Sequence, residues 1–306
     1  MNIYLPGIEL KITALSSGIK LEPLGSSRYD VAISPVNLSF DCVYSVVKKT
    51  DKGRMKTMLS GESFDGAEIP YRWEIMKEGE DAGIFIDFFE DNQLEEVLCR
   101  INFNEGSIHT SLVPKTKMKE VVVDPLFQPY GSVLMVVLAH YQNDIIIHAS
   151  GTIDNGTGRL FTAVSGTGKS TMAGLWQKSG AEVINDDRLW LHKVDDQWHF
   201  FNTPMPYYAQ KPLEAPLNEI FLLRQSPRNQ INRLTGVKAA MRFMANAIQH
   251  FYDKEMTERH LDRVLDIASR VPIFDCGFKP DLDIVEAIRK QAWDRESGTE
   301  SMGQRN

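Results

Sequence analysis

The sequence predicts an α/β protein, with a mainly β N-terminal domain preceding an α/β second half. Three observations predict this. The first 120 or so residues carry short β-type runs between polar turns and no long helical periodicity. From about residue 123, strand-like and helix-like runs alternate. Within that half the apolar run 160–164 feeds Ser165-Gly-Thr-Gly-Lys-Ser170, and a helical pattern follows from Thr171 to Ser179. The expected divisions are residues 1–122, residues 123–293 and a polar, disordered tail, 294–306.

Taken in order, the N-terminal runs are 8–12, 29–33, 38–47, 84–89, 97–103 and 107–113, with turn clusters at 50–53 and 103–106. They hold no catalytic constellation, and His109 reads as a strand-surface histidine. Residues 124–131 form a Pro-rich hinge, 132–141 a buried helix packing the halves together, and 145–148 a fully buried strand. Asp154-Asn-Gly-Thr-Gly158 is a hairpin turn. The helix after the Gly-rich segment places Met172, Leu175 and Trp176 on one face and stops at Ser179-Gly180. A strand at 181–185 ends in Asp186-Asp187, and a hairpin (188–194, 197–201) turns at Asp195-Asp196. Pro204, Pro206, Pro212 and Pro216 punctuate a long loop of the kind that serves as lid or substrate platform. A strand at 219–224 precedes an amphipathic helix with Val237, Met241, Met244, Ala245 and Ile248 on its apolar side. A charged helix (255–270), a strand (271–278) and a last helix (281–293) complete the pattern.

The chain has 306 residues, and its net charge of −7 argues against a general nucleic-acid binder, which needs a Lys/Arg surplus. Cys42, Cys99 and Cys276 lack paired spacing and read as reduced thiols. The longest apolar stretch, 133–139, is far short of a membrane span, and no basic-then-apolar leader opens the chain. These features predict a cytoplasmic protein with neither nucleic acid nor membrane as partner.

The Gly-rich segment has the chemistry of a phosphate-binding loop. Backbone N–H groups of Ser165, Gly166, Thr167 and Gly168 can turn inward on nucleotide phosphates, and side chains at the glycines would block that approach. Lys169 reaches the β/γ-phosphates, the Ser170 hydroxyl ligates Mg²⁺, and Thr171 opens the helix whose positive dipole end faces the anion. Ala163 stands where the usual pattern opens on Gly. Asp186 and Asp187 close a strand, and strand ends in α/β sheets line ligand crevices. Neighbouring strand residues point to opposite faces, so a joint role for the pair requires a break in the pleat. His148 ends the strand before the loop strand, where its imidazole can hold or tune the proton of Asp186. Arg188 is a candidate for neutralising phosphate charge.

Together, His148-Ala-Ser-Gly151, Ser165-Gly-Thr-Gly-Lys-Ser-Thr171 and Asp186-Asp187 resemble the kinase domain of HPr kinase/phosphorylase and its relatives. That domain belongs to the phosphoenolpyruvate carboxykinase-like P-loop group. Asn202-Thr-Pro204, the run 216–222 and Phe278-Lys-Pro-Asp281 look like the HPr-kinase-related proteins, so the likeness covers about residues 125–292. It implies a P-loop kinase core, a mixed sheet with flanking helices, and Mg²⁺-dependent transfer of the γ-phosphoryl group of ATP to a serine or other hydroxyl of a protein, peptide or small molecule. It implies Asp186 as base, Asp187 as metal or water partner beside Ser170, and His148 as the neighbour that orients Asp186. Thr171 departs from the acidic residue usual after the loop serine, and the family's acidic, Gly-containing signature segment is not found. Assembly into a homo-oligomer is left open. Two other functions compete: a non-catalytic nucleotide sensor, and a carboxykinase-like lyase, for which Arg224, Arg228 and Arg233 make no convincing set.

Overall fold

The computed structural model describes residues 1–63, 69–89, 93–115, 120–185, 187–204, 210–250 and 252–291. Asp186, residues 205–209 of the Pro-rich loop and the polar tail lie outside them. The chain is a mixed α/β protein of two compact units: Met1–Gln142 with Thr203–Leu213 and Gln249–Thr257, and Asn143–Asn202 with Glu214–Ile248 and Glu258–Asn306. The sequence reading divides the chain at 122/123, whereas the first unit runs on to Gln142.

The first unit contains β1 (Asn2–Leu5), β2 (Ile8–Ala14), β3 (Ile19–Leu21), β4 (Leu38–Val46), β5 (Lys56–Glu62), β6 (Tyr71–Glu78), β7 (Asp81–Phe88), β8 (Leu94–Asn102), β9 (Ser107–Pro114), β10 (Val121–Val123) and α1 (Tyr130–Tyr141). Eight of the strands form one sheet, ordered β1-β2-β4-β9-β8-β7-β6-β5, and β10 pairs with β3. Alternation decides the inner face of β2, where Ile8, Leu10 and Ile12 are buried and Lys11 is not. Helix α1 is buried almost all round, and its Tyr130 hydroxyl meets that of Thr110 at 2.8 Å.

Residues 29–33, expected as a strand, form none. Their apolar alternation has no strand to pair with, so Val31 and Ile33 stay exposed. Strands β5 and β6 escaped the sequence reading because charged residues break their apolar pattern. What shapes this hairpin is Trp73, whose ring lies so close to Gly61 that any Cβ there would fall 2.6 Å from it. Cys42, Cys99 and Cys276 are free and buried.

The second unit is built on β11 (Ile145–Asp154), β12 (Thr157–Thr162), β13 (Glu182–Asn185), β14 (Arg188–Val194), β15 (Gln197–Asn202), β16 (Glu214–Pro216), β17 (Glu219–Gln225), β18 (Gln230–Leu234) and β19 (Ile273–Phe278). Its helices are α2 (Lys169–Lys178), α3 (Gly236–Met244), the part of α4 (Lys254–Arg270) from Glu258, and a last helix, α5, at residues 283–291. The sheet order is β16-β15-β14-β11-β12-β17-β19-β18, with β13 also on β11. Strands β12, β17 and β19 are mutually parallel, while β11, β14, β15 and β18 pair antiparallel, so the sheet is mixed.

Phe161, Phe221 and Phe274 stack across the three parallel strands, with centroids 5.2 and 5.1 Å apart, and Trp176 of α2 lies on Phe161 at 5.8 Å. Each such pair adds about 0.5–1.5 kcal/mol beyond its buried area. Met172 and Leu175 of α2 and Ile284, Val285 and Ile288 of α5 join the same core. One edge of α2 is fixed by charge. Arg159, 3% exposed, donates to Glu219 at 2.7 Å and approaches Asp154, which Arg289 also grips at 2.7 Å. Both guanidinium groups lie over the Trp176 ring.

Helix α3 departs from expectation twice. It buries Ala239, Ala240 and Phe243, leaving the Val237 and Met241 of the predicted apolar stripe exposed. It also stops at Met244, because the next residues run alongside β11: Ile248 N–H donates to Ile146 at 2.8 Å.

Candidate functional site

Strand β12 is buried on both faces and runs directly into loop 163–168, which α2 follows. Two glycines make the bend. Gly166 has φ +77° and Gly168, the residue before α2, has φ +116°. The second value excludes ordinary side chains, and a Cβ on Gly168 would also meet the Phe278 ring at 2.9 Å. Ser165, Ser170 and Thr171 are exposed, and their hydroxyls have no partner among the described residues.

Lys169 is 6% exposed and tucked under the loop it follows, its Nζ donating to the carbonyls of Ala163 at 2.9 Å and Val164 at 3.3 Å. Burial pushes its pKa below the ordinary lysine value, and the Asp187 carboxylate pulls the other way. These carbonyl bonds are ones the ammonium can exchange for an anion.

The first half of β11 pairs with β14 and the second half with β13. Asn185 stands opposite Gly151 and Arg188 opposite His148, with a register shift at Gly151/Thr152. The Asn185 side chain accepts from Asp187 N–H at 3.1 Å and donates to the Arg188 carbonyl at 2.9 Å. Asp187 thereby reaches His148: Oδ1 lies 3.4 Å from Nε2, and its other oxygen lies 3.7 Å from Arg188 Nε. Burial lowers the pKa of His148, the cations Lys169 and Arg188 lower it further, and Asp187 opposes them. His148 is therefore a neutral imidazole at neutral pH.

The structure thus brings His148, Asp187, Arg188 and Lys169 into one electrostatic neighbourhood. Whether Asp186 shares it falls outside the described residues. No group of three or more His, Cys, Asp or Glu side chains suited to a metal occurs among the described residues. Mg²⁺ at a phosphate needs less, typically one or two carboxylates together with substrate oxygens, and the free Ser170 hydroxyl and the Asp187 carboxylate fit that demand.

Beside the loop lies a cleft of about 520 Å³, lined by Thr167, Gly168 and Thr171 on one side and Pro227, Phe278 and Pro280 on the other. It opens where parallel β12, β17 and β19 end, the usual place for ligands in such sheets. Sequence reasoning assigned no role to Pro227, Phe278 or Pro280. The signal was available in principle, since a residue just past a parallel strand faces the crevice, but it needs the strand order.

A scan against protein-family models finds none that matches, and no curated protein matches. Among solved structures the chain is similar to the Hpr(Ser) kinase/phosphatase from Coxiella burnetii, with TM-score 0.32 and 11% sequence identity, over 49% of this chain and 98% of that one. Among the described residues no helix is long and apolar enough to cross a membrane.

Proposed function

We propose that the second unit is a P-loop phosphotransferase that uses ATP and Mg²⁺ to phosphorylate a serine-type or other hydroxyl acceptor, as HPr kinases do. The observation that carries this reading is the approach of His148 and Asp187 to the strand–loop–helix bearing Lys169. Phosphoryl transfer asks a protein for little more than a phosphate cradle, a metal and a group to orient or deprotonate the nucleophile.

Loop N–H groups 165–168 cradle the phosphates, and Lys169 leaves the Ala163 and Val164 carbonyls for the β/γ-phosphate oxygens. Ser170 and Asp187 hold Mg²⁺, which supplies charge neutralisation at the transferring group. The nucleoside extends into the cleft, where Phe278 and the prolines offer an apolar wall. The acceptor oxygen attacks the γ-phosphorus as the bond to the β–γ bridging oxygen breaks. Its proton passes to Asp186, the base by position, with neutral His148 orienting the carboxylates or taking the proton itself.

The test is transfer from γ-labelled ATP in Mg²⁺ to a panel of serine peptides and free serine. The native protein is expected to turn over; Asp186→Asn and Asp187→Asn are expected to lose about 100-fold or more, Asp186→Asn with nucleotide affinity retained. Equal turnover in native and Asp186→Asn protein would exclude Asp186 as the base, and MgATP binding without turnover in the native protein would leave a nucleotide sensor.

A further inference from the structure

Two half-exposed arginines in the second unit close on a single carboxylate. Arg224 of β17 donates through Nε to Asp275 Oδ2 at 2.9 Å, and Arg242 of α3 donates through Nη2 to Oδ1 at 2.6 Å. Burial raises the carboxyl of Asp275, but the bonds from Arg224 and Arg242 more than offset it, so it stays ionised. One of the two positive charges is cancelled and one is left over, in a chain whose net charge is −7.

The guanidinium groups also have unused donors. Arg224 gives Nη2 to Gln230 at 2.9 Å, but its Nη1, and the Nε and Nη1 of Arg242, have no partner among the described residues. The Arg224 guanidinium lies directly over Gly277. A Cβ there would come within 2.7 Å of the guanidinium carbon, so the absent side chain lets the group lie flat on the strand. A plain surface ion pair does not require such a cradle.

Location gives the pair its meaning. Gln225 and Ser226, directly after Arg224, and Phe278, directly after Gly277, line the cleft. Phe274, Cys276 and Phe278 face the α2 core, so Asp275 and the arginines stand on the opposite face at the same strand-end edge. Next to Arg242 the exposed Val237 and Met241 sit one turn apart on α3, with Lys238 exposed between them.

We propose that Arg224 and Arg242, cradled by Gly277 and tethered by Asp275, bind a carboxylate of the phosphoryl acceptor, with Val237 and Met241 contacting its apolar part. This rests on the phosphotransfer reading for its meaning, though not for its test. Paired guanidinium forks match a planar oxyanion, and one uncancelled charge matches one carboxylate.

The test is NMR of the arginine Nε–Hε signals in the full chain, assigned with Arg224→Gln and Arg242→Gln. The probes are N-acetylserine, N-acetylserinamide, inorganic phosphate and MgATP. N-acetylserine is expected to shift both signals saturably, N-acetylserinamide to leave them in place, and Lys169→Ala to change nothing. Arg242→Lys, which keeps charge but loses the fork, is expected to weaken binding at least tenfold while MgATP affinity stays native. Equal shifts from the amide, or shifts from phosphate or MgATP alone, would overturn the carboxylate assignment. N-acetylserine binding without any MgATP binding would sustain this site and remove the kinase.

Discussion

At the residue scale the chemistry turns on His148 and its surroundings. Its pKa lies below the ordinary value because of burial and the positive charges of Lys169 and Arg188. The imidazole accordingly remains a proton acceptor down through pH 6.5, and the acidic limb of kcat/KM is expected below that pH. Arg188→Gln removes one of those charges, so an NMR titration of the ring is expected to show the His148 pKa rising. An unchanged titration would mean that Arg188 does not act on the imidazole. His260 behaves alike for stability. Only 4% exposed, it has its pKa pushed down by burial to about 4. Below pH 6.5 the unfolded chain takes this proton before the folded one, so stability falls as pH drops from 6.5 towards 4. The loss approaches about 3 kcal/mol. Denaturant unfolding of His260→Phe at pH 7 and pH 4.5 is expected to show a smaller loss than the native protein; an equal loss would assign the acid sensitivity elsewhere. His148 and Asp187 could be singled out from strand-end position alone, but the Asn185 bonds to Asp187 N–H and the Arg188 carbonyl could not, because they depend on local backbone geometry rather than on residue type.

At the scale of elements, the loop between β12 and α2 is held by two glycines with unequal duties. Gly168→Ala forces a side chain into φ +116° and against Phe278. It is expected to cost about 1–3 kcal/mol of stability and to abolish nucleotide binding. Gly166→Ala, at φ +77° with nothing within 4 Å, is expected to cost nearer 1 kcal/mol. Thermal melts of the two variants decide this, and equal costs would show that the Phe278 contact is irrelevant. Beneath the loop, Glu219→Ala leaves buried Arg159 with only its longer contact to Asp154. It is expected to lose about 3–5 kcal/mol in denaturant unfolding, and a loss below 1 kcal/mol would argue that Arg159 rearranges freely. The strand–loop–helix was legible in the sequence because glycine, lysine and serine at that spacing serve one chemistry. Helix α3 was misread because Val237 and Met241 stay exposed while two alanines and Phe243 pack.

At the scale of the molecule, the sequence foreshadowed a β-rich first part and an α/β second part, since alternation and helical period are local signals. It did not foreshadow that segments 203–213 and 249–257 belong with the first unit, because their assignment rests on long-range contacts. Nor did it disclose the cleft, whose walls come from the ends of strands far apart in sequence. The central claim concerns the loop at 163–168, and calorimetric titration of ATP into the native chain and Lys169→Ala, each with and without Mg²⁺, tests it most directly. Binding that requires Mg²⁺ and falls at least tenfold, ~1.4 kcal/mol, in the variant is the expected result. No binding to the native chain, or equal binding to Lys169→Ala, would contradict a working phosphate loop and with it the kinase.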